Sequence, residues 1–583
     1  MEERQNTTIW SLYELGKNYN RLRNMYQEGT ENYNYYYGRQ WEGLQRPKES
    51  SEPIVLNIIK PIIKYKTNIV KQRDYEIIFN PNTYSTPEEL EALKDVTKGL
   101  NQFVMRAWEK SQAGKVVGNI VKSSAINSEG IIYFYIQGEE NDLHTEEIDK
   151  NNIYYGNENE QDIQKQPYIL ATFRKTVEEA REMAREFRSQ GKNNLTDEDI
   201  ESIVSDTNYY EQQGADKMTV ELSPMCLVIM KFEKENGKVV VSCSTQTCDI
   251  YKKEQTDCEL YPFAHFIWEE EKGYARGTSE VNSLKENQRE INKTATRRAI
   301  AVKISSYPKL VVDKEKVANP ESLNQVGSTV ELTNLRADDV QKVINYLRPA
   351  QMSPDAYNLQ QDLISGTREL AGAGDNATGN IDPTQASGKA ILAVQQASQM
   401  PINEQVEGFK YFLEDCGRIL FDLMKAYFID GLTLYATEDQ VDQLGQTEKV
   451  QRPFKLTQEQ LEKLDVNLKI DISPKSPYDV YATVMTLENM LVRNLITLEE
   501  FTEALPDDSP EPKSDLEMIL RNRREARRQI AQMQQQVNAI NSAINQVMIE
   551  QGGVDNGMSN MPISGDDGSG AEQQQDQVQM QQM

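Results

Sequence analysis

An α+β fold, predominantly helical, is expected from three features of the chain. Apolar residues recur at three- and four-residue steps over long stretches, which is the spacing of helix faces. Short β-branched and aromatic runs gather between residues ~130 and 270, as strands require. The 583 residues leave room for several cores, since domains hold roughly 100–200 residues each.

Taken in order, residues 1–45 read as helix with an aromatic end: Tyr26, Tyr33, Tyr35, Tyr36, Tyr37 and Trp41. Aromatics at that density need a surface to pack on. The apolar run Pro53–Ile63 suggests a short strand, and Pro61 suits the first turn of a helix reaching about Val70. Glu88–Ser128 is expected to be helical, interrupted near Gly114 and Gly118. The period then changes. Ile131–Ile136, Tyr168–Phe173, Leu227–Phe232 and Val239–Val241 read as strands, with a polar helix at Val177–Arg188 and an acidic stretch at Asp197–Asp206.

The centre alternates helix and insert. Ser279–Lys303 carries Val281, Leu284, Ile291, Ala295 and Val302 on a narrow stripe, with Gln288 and Arg298 in the remaining stripe positions. A narrow apolar seam on a polar helix suits packing against similar helices. A β-like insert from Ser306 to about Arg348 holds Pro308–Val312 and Gly327–Leu332. A second helix starts after Ser353-Pro354, with Ala356, Leu359, Leu363 and Leu370 on its stripe. The glycine-rich segment 371–380 ends it and reads as a mobile loop. Helix resumes from Ser387 to about Asp430, kinked at Pro401, with Val406, Phe409, Leu413, Cys416, Leu420, Leu423 and Tyr427 on its core face. Val466–Ile472 alternates as a strand does. A helical domain follows over ~478–547, and the Gln-, Gly- and Asp-rich tail 548–583 lacks the apolar content for a core.

Composition narrows the function. The formal net charge is −27, which disfavours a general electrostatic grip on DNA but suits a surface that DNA slides past. The start lacks the basic flank and apolar core of a secretory signal, and no run of 18 apolar residues exists, so an intracellular chain without a membrane span is expected. Five cysteines, Cys226, Cys243, Cys248, Cys258 and Cys416, are read as reduced thiols.

Sites of chemistry are scarce. Cys243, Cys248, Cys258 and His265 have zinc-ligand types, but their spacings lack the close pairs of structural zinc sites. Pro383–Ala390 has proline and alanine where a phosphate-binding loop needs glycine and Ser or Thr, so Ser387 reads as a helix cap and Lys389 as no ATP ligand. His144 and His265 have no nucleophile motif beside them. No cofactor and no enzymatic activity are expected. Arg521, Arg523, Arg524, Arg527 and Arg528 form one dense basic cluster, either a solvated helix face or a contact for nucleic acid.

The order of these parts resembles the portal proteins of tailed bacteriophages. The resemblance is carried by Asn34-Tyr35-Tyr36-Tyr37-Gly38-Arg39-Gln40-Trp41, similar to the family's Y-x-G-x-Q-W pattern, and by Pro53–Pro61, close to its N-x-[IV]-x-P segment. It continues through the helix, β insert, helix, glycine-rich loop and long helix of ~276–430 to Asn494–Phe501. It implies a portal fold with wing (1–275 and 385–475), stem helices (276–304 and 351–372), clip (305–350), tunnel loop (373–384) and helical crown (476–547). It further implies a homo-dodecamer at the virion's portal vertex, assembled in the host cytoplasm. The implied partners are the major capsid protein, the terminase large subunit, a head-tail adaptor and the double-stranded DNA in the channel. ATP hydrolysis would belong to the terminase. Gly372, Gly374, Asp375, Asn376 and Gly379 would face DNA in the tunnel loop, and the Arg521–Arg528 cluster would face packaged genome. Proline at Gly372 and Gly374 is expected to spare ring assembly and block packaging. The alternative is another phage structural protein: a scaffold, a connector or an ejected internal protein.

Overall fold

The computed structural model describes residues 8–42, 53–71, 74–81, 87–137, 142–206, 223–306, 309–313, 315–324, 327, 329–333, 343–347, 355–374, 400–428, 432–441, 447–456, 466–473, 477–493, 495–505 and 513–550. They fall into two compact units, Met1–Lys475 and Ser476–Met583.

The first unit opens with α1 (Ile9–Leu22) and α2 (Met25–Tyr37), separated where Asn24 takes a left-handed backbone (φ 55°), a conformation asparagine tolerates better than most residues. Gly38 ends α2 at φ 87°. α3 (Ile59–Lys71) buries Ile59, Ile62, Ile63, Ile69 and Val70, and Pro61 sits in its first turn as expected. The preceding residues 53–58 pair with no strand among the described residues. β1 (Asp74–Pro81) leads to α4 (Pro87–Lys110) and α5 (Ala113–Asn127). The break between them falls at Gln112 (φ 54°), and Gly114 and Gly118 continue the helix.

The middle is antiparallel sheet. β2 (Glu129–Gln137) pairs with β3 (Asp142–Ile148) and later with β9 (Phe263–Ile267). β4 (Ile153–Tyr155), β5 (Tyr168–Thr176), β6 (Met225–Glu235), β7 (Lys238–Ser244) and β8 (Asp249–Gln255) form a second sheet in sequence order. α6 (Val177–Ser189) and the short α7 (Asp197–Glu201) lie between β5 and β6, each opened by a threonine capping box. β10 (Glu269–Glu271) and β11 (Tyr274–Thr278) make a hairpin before α8 (Glu280–Ser306). All four strand runs expected here are present; β3, β4, β8, β9, β10 and β11 join them.

β12 (Lys309–Val312) pairs with β13 (Ile344–Leu347), so the insert closes through Ile344–Leu347. Of the expected strand Gly327–Leu332, the described residues show a bridge between Leu332 and Val317; Ser328 lies outside them. α9 (Asp355–Leu370) follows, then α10 (Asn403–Tyr427), preceded by a 3-10 turn at Met400–Ile402 that contains Pro401. The expected helix over 387–399 lies outside the described residues. β14 (Leu432–Val441) and β15 (Thr447–Leu456) form a long hairpin that the sequence does not signal, and β16 (Val466–Ser473) pairs along β1.

α10 is the core helix anticipated. Val406, Phe409, Leu413, Cys416, Leu420 and Leu423 are buried, whereas Tyr427 at its end is 37 % exposed. Phe409 and Phe412 meet Phe266 of β9 at 5.8 and 5.9 Å between ring centres. Asp422 accepts the backbone N–H groups of Glu259 and Leu260 at 2.8 and 2.9 Å, holding α10 to the turn before β9.

Two buried ionic groups complete this core. Arg276 pairs with Glu129 and Glu158, each at 2.8 Å, and donates to the carbonyls of Lys150 and Ile153. Its guanidinium lies 4.7 Å from the centre of the Tyr155 ring. Lys66 pairs with Glu280 at 2.8 Å, and Trp268 Nε1 donates to the same carboxylate.

In the second unit, α11 (Pro477–Val492) and α12 (Leu498–Ala504) pack around Val484, Phe501 and Leu505, and α13 (Lys513–Glu550) follows. A capping box between Thr497 and Glu500 fixes the start of α12.

Candidate assembly interface

α8 contains 27 residues and is therefore about 40 Å long. Its first half is fully engaged within the chain. Val281, Leu284, Ile291 and Ala295 are buried, and so are Gln288, Asn292 and Thr296, four residues apart on one polar stripe. The backbone N–H groups of Ile58, Leu56 and Ile54 donate to Gln288 Oε1, Asn292 Oδ1 and Thr296 Oγ1 at 2.9, 3.0 and 3.1 Å. Geometry permits this match. Alternate residues of an extended chain point the same way about 6.6 Å apart, and one helical step of four residues rises about 6 Å. The segment 53–58 thus finds on α8 the partners that a sheet would otherwise supply, which is why the expected strand is absent.

The ladder is tied in from both sides. Gln288 Nε2 donates to the Leu56 carbonyl at 2.7 Å, and Asn292 Nδ2 donates to Gln40 Oε1. Gln40 Nε2 in turn donates to the Tyr35 carbonyl, and Asn57 Nδ2 to those of Tyr35 and Tyr36. Trp41 Nε1 donates to the Ile54 carbonyl at 3.2 Å. The two N-terminal motifs and the central helix, far apart in sequence, therefore meet in one amide network. Read along the sequence, Gln288 is only a stripe filler; the signal that marks the ladder is Gln, Asn and Thr at successive four-residue steps.

The second half of α8 has far less of its own chain around it. Val302 and Ile304 are 54 % and 53 % exposed. α9 packs beside α8, but through polar residues. The Arg298 guanidinium lies 4.9 Å from the Tyr357 ring centre and donates to Gln360, and Gln360 and Thr367 are the buried residues of α9. The expected apolar stripe of α9 is only partly covered: Ala356 and Leu363 are half-buried, whereas Leu359 is 53 % exposed and Leu370 80 %.

α9 ends in a Schellman cap. The Ala373 N–H donates to the Arg368 carbonyl and the Gly372 N–H to that of Glu369, with Gly372 at φ 65°. A Cβ at Gly372 would stand 2.8 Å from Pro401 Cβ, and Ala371 and Ala373 are buried. Residues 371–374 thus form a packed turn, which corrects the expectation of a mobile loop beginning there. Proline at Gly372 would break this cap, because its ring holds φ near −65°, so the variant would not spare the fold. Asp375, Asn376, Gly379 and the Pro383–Ala390 segment lie outside the described residues.

In the second unit, α13 carries the arginine cluster. Arg521 and Arg523 are exposed, and Arg524, Arg527 and Arg528 lie on the same helix. Beyond them Ile530, Met533, Val537 and Ile540 alternate at three- and four-residue steps and are all more than half exposed. That spacing is the seam of a helix built to lie along other helices.

The residues with chemical potential are occupied by packing. Cys243 and Cys416 are buried and their thiols pushed up by desolvation; burial carries Cys258 to about 12. Desolvation lowers His265 to about 4, and His144 stacks on Tyr135 at 5.3 Å. Among the described residues, no group of three or more His, Cys, Asp or Glu could hold a metal ion, and no helix is long and apolar enough to cross a membrane.

Against known proteins, the sequence profile of the Phage P22-like portal protein family matches residues 15–583. No curated protein matches the chain.

Proposed function

Because the chain belongs to the P22-like phage portal protein family, we propose that twelve copies form the ring at the capsid vertex through which duplex DNA is packaged and ejected. A portal is a structural component of the virion, and the role is one of assembly and passage, not catalysis. The observation that carries the reading is exposed apolar surface on two neighbouring helices, Val302 and Ile304 on different sides of α8 and Leu359 with Leu370 on one face of α9. Apolar patches of this kind mark association surfaces, and a closed ring of head-to-tail contacts covers them in every copy.

On this reading α8 and α9 are the stem (276–304 and 351–372) and the insert of 305–350, with its β12–β13 ribbon, is the clip that docks the terminase large subunit and later the head-tail adaptor. Residues 1–275 and 385–475 form the wing, which meets the major capsid protein. Residues 373–384 form the tunnel loop, with Gly374, Asp375, Asn376 and Gly379 toward DNA; Gly372 serves as the cap that fixes where the loop departs. Residues 476–547 form the crown, where the α13 seam packs copy against copy and Arg521–Arg528 turn to the packaged genome. The net charge of −27 per subunit keeps a moving duplex from adhering to the channel.

Negative-stain microscopy of the purified chain tests the proposal. Closed rings with a central hole are expected; a field of single compact particles at micromolar concentration would refute it. For the loop, Gly379→Pro should leave rings intact and abolish packaging, and normal packaging would remove the tunnel-loop assignment.

A further inference from the structure

Two neighbouring helices of the first unit contain no acid. α3 and α5 hold six lysines and neither Asp nor Glu, in a chain whose formal charge is −27. Lys66 is buried against Glu280. The other five are Lys60, Lys64 and Lys71 on α3 and Lys115 and Lys122 on α5. Lys64, Lys71 and Lys115 are exposed, and none of the five pairs with a carboxylate among the described residues. Lys64 and Lys71 are two helical turns apart, as are Lys115 and Lys122, so each pair shares one face of its helix at about 10 Å spacing.

Three of them, Lys60, Lys71 and Lys122, converge. Lys60 Nζ lies 5.8 Å from the Tyr36 ring centre, and Lys122 Nζ lies 5.3 Å from the same ring and 5.9 Å from that of Tyr37. A Cβ on Gly118 of α5 would stand 3.7 Å from Lys71 Nζ, so Lys71 reaches from α3 across to α5. Tyr37 is itself 51 % exposed. Partial burial, and then the charge of Lys122, push the Lys71 ammonium down, with Glu147 opposing. The acid nearest in effect, Glu147, accepts from Ser123 at 2.5 Å and forms no ion pair with either lysine.

The identity of the cations selects the partner. Protein interfaces are depleted of lysine and enriched in arginine, whose planar fork suits fixed pairing. Among the described residues, α3 and α5 supply five such lysines and no arginine. Flexible point charges suit a partner of dense, repetitive negative charge, and a DNA duplex presents one charge per about 1.7 Å of its axis. At physiological salt, fields decay over about 8 Å, so the nearby groups, five lysines against Glu147 and Asp149, weigh more there than the excess of acids elsewhere in the chain.

We infer that the α3–α5 lysine face, topped by Tyr37, is a sequence-independent contact for the backbone of double-stranded DNA, separate from the channel loop and from the arginine cluster of α13. The inference goes beyond ring formation and does not depend on it.

The test is fluorescence anisotropy of the full chain with a short labelled duplex of arbitrary sequence. It compares wild type, Lys64→Gln/Lys71→Gln/Lys115→Gln/Lys122→Gln, and Lys252→Gln/Lys272→Gln, the last reporting net charge alone at two exposed lysines. Four phosphate contacts predict an affinity that falls roughly 100-fold between 50 and 200 mM salt. The quadruple variant should lose most of that affinity and its salt slope, while the Lys252/Lys272 variant keeps both. Unchanged binding in the quadruple variant would overturn the inference. So would unchanged DNA binding with altered oligomer size, which would mean that another copy of the chain covers the face. Microscopy of the same samples reports separately on the ring.

Discussion

The two halves of α8 are turns of one continuous helix with opposite surroundings. From Glu280 to Thr296 its apolar positions are buried, and its polar stripe accepts three backbone N–H groups from the extended segment 54–58. From Arg297 to Ser306 the helix has α9 along one side, joined through Arg298, Tyr357 and Gln360, and Val302 and Ile304 remain open. On the proposed reading, the contrast between the halves separates the part that folds the chain from the part that assembles it. The first half is held by interactions that a single chain completes. The second half leaves Val302 and Ile304 exposed, surface that the proposed ring would cover.

The largest expected effect breaks the open half alone. Val302→Glu with Leu359→Glu should abolish rings, since each charge would have to be buried unpaired between copies, and should leave the unfolding temperature of the single chain nearly unchanged. Sedimentation and a thermal melt on the same sample check both parts. A large fall in melting temperature would show that the open half also supports the fold.

Breaking the engaged half should do the converse. Gln288→Leu with Asn292→Leu leaves the N–H groups of Ile58 and Leu56 without acceptors, and each buried orphan costs about 1–3 kcal/mol. Denaturant unfolding should show that loss. If stability is unchanged, the ladder contributes nothing net and the distinction between the halves fails.

A pH scan sharpens the same distinction by probing the core to which the engaged half is joined. Desolvation lowers His265 to about 4, so the folded state takes up its proton later than the unfolded state does. Its contribution to stability is complete above about pH 6.5 and is lost as pH falls toward about 4, on the order of 2–3 kcal/mol in all. His265→Phe should flatten that part of the stability profile; an unaltered slope would show that His265 does not set it, and the buried carboxylates, whose pKa values burial raises, would tilt the profile the other way. Ala at Gly372 is the smallest change. A non-glycine residue at φ 65° close to Pro401 should cost on the order of 1–2 kcal/mol without altering ring size.

Periodic apolar segments are legible in the amino-acid order itself. α10, β2, β5, β6, β7 and β16 stand where their spacing places them, because burial on one face writes a period into the sequence. The open stripe of α9 is legible as a stripe but not as open, since periodicity gives the face and not what covers it. Polar devices are not legible. The Gln288–Asn292–Thr296 ladder and the Arg276–Glu129–Glu158 cluster look like surface residues when read along the chain, and only the fold brings in their partners. β14 and β15 escape notice because runs such as TLYATEDQV and TEKVQRPFKL mix charges with apolar residues. The helix break at Gln112 is expected at nearby glycines instead, because backbone conformation there follows packing more than glycine content.

Thiol labelling tests most directly whether the open half of the stem is an interface between copies. All five native cysteines are buried, so single Val302→Cys and Leu359→Cys variants report on their own sites. Rapid labelling of both is expected in dissociated chains, with strong protection once the oligomer forms. Equal labelling rates in the dissociated and assembled states would contradict that role.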